Sequence, residues 1–164
     1  MENAGADAFK RAMRLLPASV TVVATGTAPH RAGLTATAVC SLSAEPPQIL
    51  ACLNAGSATA RRIREAGAFS VNILDASHHL LASHFAGAGG TSGEQRFVHG
   101  TWDEGPGGMP ILRDAVVSLE CRLAETVPSA THLILIGRVL DVRCAEAGAS
   151  LIYRDGRFGT WMAL

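Results

Sequence analysis

Residues 33–43 carry the side-chain pattern in this chain that is best suited to holding a ligand. If the segment is one β-strand, alternation sorts its side chains onto two faces. The apolar face holds Leu34, Ala36, Ala38, Cys40 and Leu42. The other face holds Thr35, Thr37, Val39, Ser41 and Ser43. An ordinary solvent-facing row would carry Lys or Glu, so uncharged hydroxyls indicate a surface that something packs against and hydrogen-bonds to.

A helix start lies a short distance further along the chain. Ser57 is a good N-cap for a helix over residues 58–66, and Gly67 is a typical stop. The first turn of a helix offers unpaired N–H groups and a positive dipole end, which suit a phosphate. Hydroxyls of Ser57 and Thr59 add donors, and Arg61 and Arg62 add positive charge. From spacing alone, an ordinary cap beside a Thr-rich packed strand is the favoured interpretation, because helix caps are common.

Composition limits the function classes. The chain has 164 residues, 14 basic and 14 acidic side chains, and a formal net charge of zero. A nucleic-acid binder would show a basic excess, and a small barrel for single strands would need stacking aromatics, which make up only 5% here. High hydrophobic content (48%) with low charged content (17%) favours extra apolar surface, as in an obligate dimer.

Targeting and metal signals are weak. No apolar run approaches the roughly 18 residues of a transmembrane helix, and residues 1–7 do not resemble a signal peptide, so we expect a cytoplasmic protein. The four cysteines show no C-x-x-C pairing and are expected to be reduced and mostly buried. His78, His79 and His84 stand one, five and six residues apart, spacings that place no pair on one helix face, so no metal site is predicted.

The predicted elements describe a single domain over residues 1–164. Helices are predicted over residues 7–16, 58–66 and 75–85. Strands are predicted over residues 19–25, 33–43, 49–53, 69–74, 117–123 and 131–142, followed by a hairpin over 153–158 that turns at Asp155-Gly156. Strand 49–53 is a continuous apolar run, as expected for burial on both faces. Without β–α alternation, the fold class is mainly β with short helices, and a barrel is expected.

The order of these motifs resembles the flavin reductase family over nearly the whole chain. The resemblance is carried by Gly33-Leu-Thr-Ala-Thr-Ala-Val-Cys-Ser-Leu-Ser43, Pro46-Pro47, Cys52-Leu-Asn54, Ser57-Ala-Thr59 and Phe69-Ser-Val-Asn-Ile-Leu74. It continues through Glu94-Gln-Arg-Phe97, Leu119-Glu-Cys-Arg122, Thr131-His132, Ile136-Gly137-Arg-Val139 and Leu151-Ile-Tyr153. Within the family, the sequence of residues 31–41 is similar to that of the reductase partners of pyrimidine monooxygenases. It is also similar to that of the reductase partners of aromatic hydroxylases.

The resemblance implies an FMN-binding split β-barrel, a Greek key of six to seven strands, assembled as a homodimer. It implies reduction of free flavin, FMN or FAD, by NADH or NADPH, with reduced flavin passing to a separate monooxygenase. The flavin-binding residues it implies are Thr35, Ala36, Thr37, Ala38, Ser41, Leu42, Ser43, Asn54, Ser57, Ala58, Thr59, Phe85, Arg96 and Tyr153. His132 matches the family histidine beside the nicotinamide and is the expected catalytic residue.

The chain departs from the family pattern at two places. Arginines that the family often carries before and inside its Ser-x-Thr element are replaced by Ala55, Gly56 and Ala58. The charge of the flavin phosphate is then compensated by Arg61, Arg62 or Arg96, or is compensated more weakly than in the family. The Gly-Asp that often precedes the family histidine is Ala130-Thr131. The alternative function is a flavin-binding or storage protein of the same fold that has no nicotinamide site and does no catalysis.

Overall fold

The computed structural model describes residues 4–163, which form twelve strands, three α-helices and short 3-10 turns. The mainly β prediction with short helices is confirmed. The helices are α1 (Ala6–Arg14), α2 (Ala58–Ala66) and α3 (His79–Phe85). The strands are β1 (Ala18–Ser19), β2 (Thr21–Thr25), β3 (Ala32–Ala36), β4 (Val39–Ala44), β5 (Pro47–Asn54), β6 (Ala68–Ile73), β7 (Trp102–Glu104), β8 (Pro110–Leu112), β9 (Val117–Ser129), β10 (His132–Cys144), β11 (Leu151–Arg154) and β12 (Arg157–Thr160).

Seven strands form the main sheet, in the order β3-β2-β6-β9-β10-β5-β4, and every neighbouring pair is antiparallel. Strands β3 and β4 lie at opposite edges of this sheet, although only Thr37 and Ala38 separate them in the chain. Such a short link spans at most about 11 Å. The sheet must therefore curl until its two edges approach each other, which gives a barrel with an open seam at Thr37 and Ala38.

The prediction of one continuous strand over residues 33–43 is wrong. The break at the seam shifts the alternation by one residue, because the two halves pair with different neighbours. Before the break Ala36 lies in the core, and after it Val39 packs against the same core. Cys40 and Leu42, expected on the apolar face, are exposed, and Leu42 has 47% of its surface accessible.

The interior of the barrel is filled by aliphatic side chains around one aromatic ring, Phe69. Strand β5 contributes Ala51 and Leu53 to this core, but its other face, with Leu50 and Cys52, is only half-buried. The prediction that strand 49–53 is buried on both faces is therefore wrong for this chain alone. The strand instead lines the barrel on one side and leaves an apolar outer face.

The prediction for helix α2 is confirmed at both ends. The Ser57 hydroxyl accepts a hydrogen bond from the Ala60 N–H at 3.1 Å, and Gly67 ends the helix with a left-handed φ of 67°. Helix 75–85 is present as a 3-10 turn (Ala76–His78) that leads into α3. The hairpin at Asp155 and Gly156 is also confirmed, and it joins β11 to β12.

Helix α1 differs from a core-facing helix. Its sequence is amphipathic, but none of its residues is buried. Phe9 and Met13 expose 59% and 46% of their surfaces, and Leu16, just after the helix, exposes 63%. The first three residues of the chain's acidic start lie outside the described residues.

The four cysteines are free, but only Cys121 is buried. Burial, helped by the nearby Glu120, raises the pKa of the Cys121 thiol to about 12. Cys40 and Cys144 are exposed, contrary to the expectation that most of the thiols are buried.

Candidate functional site

A cavity of about 430 Å³ opens where the seam of the barrel meets α3 and the β11–β12 hairpin. Three of its lining residues, Thr35, Thr37 and Tyr153, are among the predicted site residues. Small side chains of α3 and the following turn form one wall, and the hairpin forms another. The complete lining is Val20, Thr35, Thr37, Ala82, Ser83, Ala86, Ala88, Tyr153, Gly156 and Phe158. Small apolar walls with a few hydroxyls and an aromatic edge are suited to a flat ring that carries polar atoms at its rim.

The predicted hydroxyl row reaches the cavity, but one of its members already has a partner. The Thr35 hydroxyl donates a 2.6 Å hydrogen bond to the Ala82 carbonyl and so joins β3 to α3. The hydroxyl hydrogen of Thr35 is therefore taken by a protein partner, and toward a ligand the Thr35 oxygen can only accept a hydrogen bond. Thr37 is exposed at the seam, and its hydroxyl has no hydrogen-bond partner among residues 4–163.

Strand β3 is also fastened to the segment over residues 87–98, which we call the strap. Glu94 accepts from the Arg31 backbone N–H at 2.8 Å and from the Arg31 Nε at 2.9 Å, and Arg31 lies over the Phe97 ring. The hydrogen bonds from the Arg31 guanidinium, opposed in part by desolvation, lower the pKa of Glu94. Two motifs of the resemblance, at residues 31–41 and 94–97, are therefore held together by one ion pair.

Arg96 makes the second attachment of the strap. Its Nη1 donates to the carbonyls of Gly33 and Phe85, both at 2.9 Å, and its Nε donates to Thr91. Desolvation lowers the pKa of Arg96, but an arginine remains charged at neutral pH. The guanidinium thus connects β3, the end of α3 and the strap, and acts behind the cavity wall.

A second group of predicted residues meets at the far end of β5. Asn54 is paired in register with His132 of β10, and both are exposed. The Ala55 N–H donates to the Thr131 carbonyl at 3.0 Å, which fixes the β9–β10 turn beside the start of α2. Asn54 Oδ1 accepts from the Gly56 N–H at 2.8 Å, so its amide N–H groups remain for a ligand.

His132 has an orienting neighbour in place of the family's acidic residue. The Thr131 hydroxyl lies 2.9 Å from His132 Nδ1. This contact leaves Nε2 of the ring as the atom available to a ligand. Ala130, immediately before Thr131, takes a left-handed φ of 48°, a conformation that glycine adopts more readily.

The arginines expected to compensate a phosphate differ in their availability. Arg62 Nη1 donates to the His30 carbonyl, and Arg96 is committed to three carbonyls. Among residues 4–163, Arg61 is exposed and makes no side-chain hydrogen bond or ion pair. Of the three candidates, Arg61 is therefore the one whose charge is uncommitted near the start of α2.

The remaining predicted site residues fall at different depths. The Phe85 ring is fully buried and packs on Gly33, so its side chain supports the wall of the cavity from behind. Thr59 is buried in the first turn of α2, and Ser57 caps that helix. Ala36, at the end of β3, lies in the core. The other five lie on or near the surface: Ala38 at the seam, Ser41, Leu42 and Ser43 on β4, and Ala58 at the start of α2.

Sequence reasoning missed the small residues of the α3 wall and the hairpin phenylalanine. Ala86 follows Ala82 by four residues and Ser83 by three, which places these small side chains on one side of the helix. That spacing was the signal in the sequence that could have predicted the wall. Phe158 lies opposite Tyr153 in the hairpin, and the two rings make an edge contact with centroids 5.3 Å apart. Because hairpin register follows from the turn, the Asp155-Gly156 signal contained this pairing.

An antiparallel barrel open along one seam, with threonine hydroxyls at that seam, is the split-barrel architecture of flavin reductases. Residues 13–162 match the flavin reductase like domain, and the chain belongs to that family. The NADH-dependent FMN reductase RutF of Agrobacterium fabrum is 39% identical over 150 residues, which cover 92% of this chain and 85% of that protein.

Two further relatives agree with this assignment. The 4-hydroxyphenylacetate 3-monooxygenase reductase component of Salmonella typhi is 37% identical over 150 residues, 92% of this chain and 88% of that protein. The structure of the NADH:FAD oxidoreductase SgcE6 of Streptomyces globisporus C-1027, in complex with NAD and FAD fragments, matches with a TM-score of 0.88 and 26% identity. That match covers 99% of this chain and 98% of the other.

The described residues contain neither a membrane-spanning helix nor a cluster of metal-binding side chains. Among residues 4–163, no helix is both long and apolar enough to cross a membrane. Within the same residues, no three His, Cys, Asp or Glu side chains come together as a group that could hold a metal ion.

Proposed function

We propose that this chain reduces free flavin, preferably FMN, with NADH or NADPH by hydride transfer to flavin N5, and supplies the reduced flavin to a separate monooxygenase. The observation that carries the proposal is the seam cavity, in which Thr35, Thr37 and Tyr153 meet in a chain of the flavin reductase-like family. Relatives named as an NADH-dependent FMN reductase and as a monooxygenase reductase component support the reaction and the partner.

The flavin would be held by residues of the seam and of the α2 start. The alanine wall and Tyr153 fit a flat apolar ring. The Thr37 hydroxyl can donate to the polar rim of that ring, whereas the Ser83 hydroxyl, which donates to the His79 carbonyl at 3.0 Å, can accept from it. The α2 N-terminus and Arg61 would face the phosphate, because unpaired N–H groups and a cation both favour an anion. Flavin and nicotinamide supply the hydride chemistry when bound, so the protein needs no strong acid or base.

His132 is the residue we assign to the nicotinamide side of the site. It is exposed, and Thr131 holds its ring through Nδ1. A single hydrogen bond contributes about 0.5–1.5 kcal/mol, so His132→Ala is expected to slow NADH turnover about three- to tenfold. Flavin affinity should stay within a few-fold, and the matched control His30→Ala, in the exposed β2–β3 loop, should change neither quantity. Unchanged turnover of His132→Ala would remove this residue from the site.

We also propose that the protein is a homodimer. The apolar outer face of β5 is only half-buried, and the apolar side of α1, with Phe9 and Met13, is exposed. Exposed apolar surfaces of this kind mark association sites. Light scattering of the purified protein should give twice the chain mass, and a monomer at micromolar concentration would refute this part of the proposal.

Anaerobic mixing with NADH and excess FMN tests the reaction directly. A reductase bleaches many equivalents of FMN per chain, and NADPH in place of NADH measures the donor preference. FAD in place of FMN measures the flavin preference. Flavin binding without bleaching would instead identify a storage protein, and the absence of both would refute a flavin function.

A further inference from the structure

We propose that Thr131 is a positioning residue: it holds the His132 ring in the tautomer that carries its proton on Nε2, and that N–H donates to the carboxamide oxygen of the nicotinamide. The Thr131 hydroxyl lies 2.9 Å from His132 Nδ1. The inference rests on the proposed function only in naming the ligand atom. The tautomer is a property of the chain itself and is measured without any ligand.

Backbone connections on three sides fix the place of Thr131 and His132. His132 is paired in register with Ser129 of β9 and with Asn54 of β5. The Ala55 N–H donates to the Thr131 carbonyl at 3.0 Å. The turn between β9 and β10 is therefore held against the link from β5 to α2, and the Thr131 side chain starts from a fixed position.

The contact between these two side chains depends on the turn. Consecutive residues within a strand point to opposite faces, so a threonine inside β10 would turn away from the residue that follows it. Thr131 lies outside the strand and follows Ala130, whose φ of 48° is left-handed. That conformation is unfavourable for a residue with a Cβ, and such conformations cluster at functional sites. The turn thus keeps a costly conformation next to the residue that contacts the ring.

The chemistry of the two side chains allows one hydrogen bond to select the tautomer. A neutral imidazole has one donor and one acceptor nitrogen, and the partner of one nitrogen decides which of them carries the proton. Among residues 4–163, the Thr131 hydroxyl has no partner other than His132 Nδ1. Donation by this hydroxyl makes Nδ1 the acceptor and leaves the proton on Nε2. An aspartate at position 131 could only accept, and would draw the proton to Nδ1.

The neighbour of His132 favours the same direction. Asn54 Oδ1 accepts from the Gly56 N–H at 2.8 Å, so its exposed amide nitrogen is left as a donor. With the proton on Nε2, His132 and Asn54 both present donors at this end of β5, and an acceptor oxygen is the ligand atom that suits both. The carbonyl of the carboxamide is the acceptor that a nicotinamide ring carries.

The size of the effect follows from the number of ring orientations. A histidine side chain has three χ1 wells and about two orientations about χ2, so roughly six orientations compete, and holding one of them strengthens binding by up to about sixfold. Thr131→Val keeps the branched shape and removes the hydroxyl. The KM for NADH should therefore rise about two- to sixfold, while kcat and the KM for FMN stay within about twofold.

NMR of the ring nitrogens measures the tautomer directly. Isotope-labelled protein without ligand is observed at a pH of about 9, where an ordinary imidazole is neutral, and His132→Ala identifies the signals of His132. The wild-type ring and that of Thr131→Ser should be protonated on Nε2. The fraction protonated on Nδ1 should grow in Thr131→Val and become the larger one in Thr131→Asp. Thr101→Val is the matched control, since Thr101 is exposed and its hydroxyl has no partner within residues 4–163.

Two analogues of NADH test which ligand atom His132 meets. The acetylpyridine analogue keeps the carbonyl oxygen and lacks the amide N–H groups, whereas the thionicotinamide analogue replaces the oxygen by sulfur, a weaker acceptor. Each analogue is compared between wild type and His132→Ala, so that its own reactivity cancels. The loss of kcat/KM in His132→Ala should be as large for the acetylpyridine analogue as for NADH, and smaller for the thionicotinamide analogue. Equal losses for all three would refute the contact with the oxygen.

Three results would overturn the role of Thr131: a wild-type ring protonated on Nδ1, equal tautomer fractions in wild type and Thr131→Val, or equal KM values for NADH in those two proteins. Recovery in Thr131→Ser separates loss of the hydroxyl from damage to the turn. If flavin is reduced but the ring proton is on Nδ1, the positioning role fails and the proposed function stands. If the tautomer is as expected but flavin is not reduced, the proposed function fails instead.

Discussion

Gly33 is the position where a single added methyl group should most clearly report the packing behind the seam. A Cβ at Gly33 would lie 2.8 Å from Phe85 Cε1 and 3.3 Å from Phe97 Cζ. Carbon atoms pack best at about 3.5–4.0 Å, so the closer contact is too short by roughly 0.7 Å or more. Phe85 cannot retreat freely, since its ring packs against Phe97 and Trp102 at centroid distances of 5.1 and 5.4 Å.

The expected cost follows from these contacts. Overpacking a core typically costs about 1–3 kcal/mol, and replacing a strand glycine by alanine returns about 0.5–1 kcal/mol. The 2.8 Å contact is well below van der Waals distance, which places the overpacking cost in the upper part of that range, at about 2–3 kcal/mol. Gly33→Ala should therefore lower the free energy of unfolding by about 1–2 kcal/mol. For a domain of this size, that corresponds to a Tm lower by about 2–8 °C.

Urea denaturation followed by circular dichroism measures the change. Gly159→Ala is the matched control, because it adds the same methyl to a strand glycine whose surroundings are open, and should change stability by less than about 0.5 kcal/mol. A double-mutant cycle with Phe85→Leu tests the mechanism, since the smaller side chain should reduce the cost of Gly33→Ala. No loss of stability in Gly33→Ala, or the same loss with Leu at position 85, would refute the argument.

Three further predictions concern side chains whose partners are defined. Arg96→Lys should keep the positive charge but lose some of the hydrogen bonds that the guanidinium donates to three backbone carbonyls. The strap should then become more sensitive to limited proteolysis, and the KM for flavin should rise, while the overall fold is retained. Unchanged proteolysis would show that this attachment of the strap is unimportant. Asp75 has its pKa lowered from 3.8 to about 2, chiefly by hydrogen bonds from the following turn, so it contributes stability that is present above pH 4 and is lost as the pH falls toward 2. Asp75→Asn should flatten the acid limb of stability against pH in that window, and an identical limb would contradict the assignment. Cys121 should resist alkylation at pH 8 in the folded protein, because burial raises its pKa to about 12. The exposed thiols of Cys40 and Cys144 should react under the same conditions. Mass spectrometry of the alkylated protein measures the three cysteines separately.

Local signals were reliable where the physics is local. The Ser57 cap, the Gly67 stop and the Asp155-Gly156 hairpin each depend on a few neighbouring residues, and all three are present. The strand over residues 33–43 failed because its break depends on a distant event. Residues 32–36 pair with β2, whereas residues 39–44 pair with β5. No residue within the segment indicates that the pairing partner changes at Thr37 and Ala38.

The site shows the same division. The sequence placed Thr35, Thr37 and Tyr153 among the site residues, and the structure brings these three together at one cavity. It could not show that the Thr35 hydroxyl is bonded to Ala82, because that contact joins residues 47 positions apart. It could not place the Phe85 ring in the core for the same reason.

By itself, the sequence determined the chemical character of this protein: an uncharged hydroxyl row, a capped helix start and a motif order shared with the flavin reductase family. Only the tertiary structure decided which of these groups are free to meet a ligand. Closure of the barrel brings together β3 and β4, the opposite edges of one sheet, and packing then commits Arg96 and Thr35 to backbone carbonyls. Long-range pairing decides such commitments, because the free energy of a hydrogen bond depends on partners that the chain brings together only when it folds.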